Sequence, residues 1–137
     1  MIIAVDFDGT IVEHKYPSIG EELPFATSTL RMLAEQNHRL VLWTVRRGKL
    51  LEEAVEWCRE RGVEFYAVNK NFPEEIVEGN DGFNKINADL FIDDRNLGGL
   101  PDWGVIYKMV TENKQWSDVY REHFLSERPK KKKGWFW

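Results

Sequence analysis

The chain has 137 residues, a mass of 16.2 kDa, a net charge of −4 and a single cysteine. That length fits one domain with a core of its own, and no apolar run approaches the ~20 residues needed to cross a bilayer. Cys58 by itself forms neither an internal disulfide nor a zinc cluster. The N-terminus has no basic lead-in and meets Asp6 too early for a signal peptide, so a cytoplasmic location is the default expectation.

In chain order, Ile2 to Phe7 reads as a buried strand, and Thr10 to Pro24, with Pro17, Gly20 and Pro24, fits no regular element. A helix follows, with Ala26, Leu30, Leu33 and Ala34 on one face. Arg39 to Thr44 reads as a second strand. The next helix groups Leu51, Ala54, Val55 and Cys58, with Gly62 as its stop signal. Val63 to Val68 is a third strand, Asn69 to Asn84 a second irregular stretch, Ala88 to Ile92 a fourth strand and Gly104 to Tyr107 a fifth. Trp116, Val119, Tyr120 and Phe124 mark a last helix. Strands that are apolar rather than alternating belong in the middle of a parallel sheet. The alternation of strand and helix predicts a Rossmann-like, three-layer α/β/α fold with a central five-stranded parallel sheet.

Charge is spread unevenly. Arg128 and Lys130 to Lys133 hold five of the 19 basic residues; the other 14 face all 23 acidic ones and leave the body at −9. A body that acidic makes nucleic acid an unlikely partner, because phosphate backbones need a basic face. The domain is expected over residues 1–127, with 128–137 a basic and aromatic tail ending in Trp135, Phe136 and Trp137.

Acidic residues gather at the strand ends. Asp6 and Asp8 follow the first strand, in Asp6-Phe7-Asp8-Gly9-Thr10, and Asp93 and Asp94 follow the fourth. In a parallel sheet these ends share one edge, where open α/β folds bind ligands. Four carboxylates brought together repel unless a cation neutralises them, and a hard, oxygen-liganded ion such as Mg²⁺ suits the set. Thr44 closes the second strand and Lys85 precedes the fourth, adding a hydroxyl and a cation to the edge. Together these groups supply a carboxylate nucleophile, a second carboxyl for proton transfer, a metal site and donors for phosphoryl oxygens.

On those residues the chain resembles the haloacid dehalogenase superfamily of phosphohydrolases. Asp6-Phe7-Asp8-Gly9-Thr10 is similar to its first motif, Thr44 to the second, Lys85 to the third, with Lys70 as the rival, and Asp93-Asp94 to the acidic fourth. The resemblance implies a phosphatase that cleaves phosphate monoesters through an aspartyl-phosphate on Asp6, with Asp8 as general acid and then base. It implies that Thr44 and Lys85 hold the phosphoryl group, and that Asp6, the Asp8 backbone carbonyl and Asp93 bind Mg²⁺, with Asp94 supporting the metal's waters or orienting Lys85. The Gly9 backbone is expected near the phosphate, and Arg46 is expected to contact a substrate anion or solvent. Counting charges leaves one proton in the cluster, assigned to Asp8 because its side chain does not go to the metal.

Neither the stretch from Asp8 to Thr44 nor that from Thr44 to Lys85 has room for a cap domain, so the chain resembles the capless subclass. Such open sites take bulky phosphorylated substrates or are closed by a neighbouring subunit of a homo-oligomer. Two alternatives remain: a phospho-accepting receiver-like signalling domain, whose order of acidic motifs differs from this one, and a non-catalytic binding protein on the same fold.

Overall fold

A computed structural model of the chain describes residues 1–76 and 85–127. The elements run β1 (Ile2–Val5), α1 (Ala26–Glu35), β2 (Arg39–Leu42), α2 (Gly48–Glu60), β3 (Ala67–Val68), β4 (Leu90–Ile92), α3 (Trp103–Thr111) and α4 (Trp116–Glu127). The strands form one sheet in the order β3-β2-β1-β4, and every neighbouring pair is parallel. This is a Rossmann-like α/β arrangement. The chain first steps outward from β1 to β2 and β3, then returns past β1 to β4. The sense of the connections therefore reverses between β1 and β4, and that junction is where such sheets form a ligand crevice.

The expected fifth strand is a helix. Gly104 to Tyr107 lies inside α3, because Asp102 caps it: its side chain accepts from the Val105 N–H at 3.0 Å. An Asp cap just after Pro101 starts a helix even where the residues that follow are apolar. Among the described residues the sheet has four strands, each shorter than its apolar run.

The layering also differs from expectation. Ile3, Val5, Leu40 and Leu42 pack with Ala26, Leu30 and Leu33 of α1, Ala54 and Cys58 of α2, and Trp103, Ile106 and Val110 of α3 in one core. The buried cluster on the other face holds Ala4, Val41, Ala67 and Ile86, with no helical residue among its described members. The reason lies in the connections. The crossovers through α1 and α2 run in the same direction and fall on one face. The β3-to-β4 connection runs the other way, and its described part contains no helix and contributes Ile86. Ala34, expected inside, is exposed, whereas Leu30 and Leu33 are buried. Asp89 has a structural role, accepting from the Ile2 N–H at 2.7 Å. No helix among the described residues is long and apolar enough to cross a membrane. The tail at 128–137 and residues 77–84 of the second irregular stretch lie outside the described residues.

Candidate functional site

The site grows from the two strands at the reversal. Val5 pairs with both Leu42 and Ile92, so the next residues, Asp6, Trp43 and Asp93, emerge in one row at the C-terminal edge. The Asp6 N–H donates to the Ile92 carbonyl at 3.0 Å, and the Trp43 N–H to the Val5 carbonyl at 2.9 Å, which extends the ladder into this row.

After Asp6 the chain turns sharply. The Ile11 N–H donates to the Phe7 carbonyl at 2.9 Å and the Gly9 N–H to the Val12 carbonyl at 2.8 Å. Gly9 has φ +84°, and a Cβ there would lie 2.5 Å from Asp94 Oδ2. Only glycine meets both demands. Its own amide is already bonded within the turn, to the Val12 carbonyl.

One carboxylate oxygen from each of Asp6, Asp93 and Asp94 lies within 4.8 Å of the others. Thr10 stitches the group together. Its hydroxyl lies 3.1 Å from Asp94 Oδ1 and 3.3 Å from Asp6 Oδ2, and it accepts from the Asp94 N–H at 3.0 Å. The Asp93 side chain in turn accepts from the Arg95 N–H at 2.9 Å. Burial pushes the Asp6 carboxyl up from 3.8 to about 7; a hydrogen bond from the Phe7 backbone opposes the rise, and the charges of Asp93 and Asp94 add to it. Three hard oxygen donors whose negative charges raise one another's energy could hold a metal cation, which would remove that repulsion.

Asp8 points elsewhere. Arg46 Nε lies 2.7 Å from Asp8 Oδ2 and Nη2 lies 2.7 Å from Oδ1, a two-point pair with Arg46 fully buried. The same guanidinium donates to the carbonyls of Pro17 at 3.1 Å and Ser18 at 2.9 Å, and stacks near the rings of Phe7 and Tyr16. Its hydrogen bonds to Asp8 hold it above the usual arginine range against the effect of burial. Arg46 is therefore a strut between Asp8 and the Thr10–Pro24 stretch, not a group presented to a substrate anion. The charge that the sequence count left to a proton on Asp8 is here opposed by a guanidinium.

Thr44 is buried beside this pair. Its N–H donates to Asn69 Oδ1 at 2.8 Å, and its hydroxyl oxygen accepts from the Arg46 N–H at 3.2 Å. Lys85 opens the described segment 85–88, which has no regular secondary structure. Asn71 fixes that segment, donating to the Lys85 carbonyl at 3.1 Å and accepting from the Asn87 N–H at 2.6 Å. A cavity of about 770 Å³ opens over the row, lined by Asp6, Asp8, Thr44, Lys85 and Asp93, with His14, Tyr16, Trp43, Val45 and Arg95 around them. Lys85 lines it and Lys70 does not, which separates the two candidate lysines. Asp94 stands behind the cluster, against Gly9 and Thr10.

Sequence reading quoted Thr10 within the first motif without giving it a role, and gave none to Asn69 or Trp103. Thr10 and Asn69 follow strand ends and bond the site's own backbone or acids, but single polar residues in loops carry no signal of that. Trp103 donates from Nε1 to the Thr10 carbonyl at 3.0 Å from inside the core. That link joins positions 93 residues apart and leaves no local pattern.

No protein-family model matches the chain, and no curated protein matches it. A solved structure described as that of a conserved protein coded by a locus from Bacteroides thetaiotaomicron is similar to it, with 62% sequence identity and a TM-score of 0.80, over 88% of this chain and 97% of that one. That description states no activity. At this identity and coverage the chain belongs to the same family as the Bacteroides thetaiotaomicron protein.

Proposed function

We propose that the protein is a Mg²⁺-dependent phosphohydrolase of the haloacid dehalogenase kind, without a cap, acting on phosphate monoesters through an aspartyl-phosphate on Asp6. The observation that carries the reading is the meeting of Asp6, Asp93 and Asp94 oxygens within 4.8 Å, beside a cavity that Asp8, Thr44 and Lys85 also line. Asp6, Asp93 and Asp94 would hold the cation, directly or through its waters. When bound, it would supply positive charge against the phosphoryl oxygens and the carboxylates.

The chain's own groups account for the rest. Asp6 lines the cavity and presents a carboxylate oxygen there for attack. That oxygen forms the new bond to phosphorus in line with the departing alkoxide, whose bond to phosphorus breaks. Lys85 and the Thr44 hydroxyl, whose proton is not used in accepting from Arg46, donate to the phosphoryl oxygens. Asp8 lines the same cavity; it turns one carboxylate oxygen away from Arg46, takes up a proton from solvent there, and gives that proton to the leaving oxygen. It then takes a proton from the water that attacks the acyl phosphate, which releases inorganic phosphate and restores Asp6.

The test is phosphate release from p-nitrophenyl phosphate with and without Mg²⁺, for the wild-type chain and for Asp6→Asn. Repeated turnover that requires Mg²⁺ and disappears in a folded Asp6→Asn variant is expected. A phosphorylated protein that persists after one turnover favours the receiver reading, and activity retained in Asp6→Asn rules out Asp6 as nucleophile.

A further inference from the structure

We infer that the cavity selects phosphate monoesters whose leaving group carries a flat aromatic ring, and that Trp43 is the residue that selects them. The inference deepens the phosphohydrolase reading and rests on it. Trp43 stands in the same row as Asp6 at the edge of the sheet, so a group leaving from a phosphoryl held at Asp6 departs beside the indole. The indole is 38% exposed and lines the cavity, and Phe91 braces it edge-on, with ring centres 5.4 Å apart. A ring fixed from one side and open on the other is ready to stack without losing rotamer freedom on binding.

The surroundings agree. Tyr16 and Val45 line the same cavity at 46% and 73% exposure and add apolar surface to that of Trp43. Lys85 and Arg95 line the same cavity and would draw an anion toward it. A phosphoryl group is far smaller than the cavity of about 770 Å³, so most of the room belongs to the leaving group. Small-molecule sites usually combine apolar surface with a few polar groups that fix orientation.

Benzyl phosphate and cyclohexylmethyl phosphate separate the idea cleanly, because their alcohols have similar acidity and similar bulk and only one ring is flat. With the full chain and Mg²⁺, kcat/KM for benzyl phosphate should exceed that for cyclohexylmethyl phosphate by about three- to tenfold, mainly through KM, the scale of one stacked aromatic pair. Trp43→Leu, which keeps apolar bulk against Phe91, should bring the ratio close to one, and Trp43→Phe should keep part of it. Tyrosine phosphate and adenosine 5′-monophosphate distinguish a phenol at the leaving oxygen from a base carried beyond a sugar; a Trp43-dependent gain on either supports the inference. Equal rates on the benzyl and cyclohexylmethyl esters, or a preference unchanged in Trp43→Leu and Trp43→Phe, overturn it while leaving the phosphohydrolase reading intact. No phosphate release from any ester overturns both.

Discussion

Arg46 meets Asp8 through two hydrogen bonds of 2.7 Å, deep enough that the guanidinium has no exposed surface. A buried pair of this kind contributes little over an apolar replacement, but losing one partner strands the other charge away from water. Arg46→Met should therefore destabilise the protein by about 3–5 kcal/mol in urea denaturation. Asp8→Leu combined with Arg46→Met should recover part of the loss. An additive double variant would mean that the two side chains do not act as a pair.

Gly9 and Gly48 allow a controlled comparison. Both have positive φ, +84° and +56°, but a Cβ at Gly9 would lie 2.5 Å from Asp94 Oδ2, whereas one at Gly48 meets nothing within 4 Å. Gly48→Ala should cost about 1 kcal/mol from backbone strain alone. Gly9→Ala should cost more, about 2–3 kcal/mol, since it must also displace Asp94. It should also weaken the stabilisation of the fold by Mg²⁺, which Gly48→Ala should not. Equal effects from the two variants would separate Gly9 from the acidic cluster.

The Asp6 carboxyl ties stability to pH. In the unfolded chain it ionises near 3.8, whereas in the metal-free fold it holds its proton to about 7. Between those values the folded state binds more protons than the unfolded one, so the contribution of Asp6 to stability falls as pH rises from about 4 to 7. Thermal unfolding without Mg²⁺ should show that decline, and Asp6→Asn should flatten it. Added Mg²⁺ should stabilise the wild-type protein more at pH 7 than at pH 5, because the cation competes with protons for the cluster. A Mg²⁺ effect that is independent of pH would contradict this linkage.

The parallel sheet and the acidic edge were legible in the sequence because both are local: buried strands read as apolar runs, and Asp6, Asp8, Asp93 and Asp94 stand directly after them. The fifth strand was misread from the run Gly104 to Tyr107, although Pro101 and Asp102 immediately before it form a helix start. Apolar content outweighed the cap. That the second face carries no helical residue among its described cluster members could not be read from single segments, since it follows from the direction in which the chain returns from β3 to β4.

At the site itself, residue types were easier to read than partners. Lys85 and Thr44 both line the cavity with Asp6, Asp8 and Asp93. Arg46 was legible as a charged residue two positions after Thr44, but not as the partner of Asp8, which lies 38 positions away. Thr10 was quoted within the first motif, while its hydrogen bonds to Asp94, across 84 positions, depend on the fold bringing β1 beside β4.

The central claim is that Asp6 carries the phosphoryl group during turnover. The direct measurement is an acid quench of the protein while it hydrolyses p-nitrophenyl phosphate with Mg²⁺, followed by borohydride reduction of any acyl phosphate and peptide mass mapping. The account predicts reduction of the Asp6 side chain to its alcohol, dependent on substrate and Mg²⁺. Reduction at a different acid, or none while phosphate is being released, would contradict it.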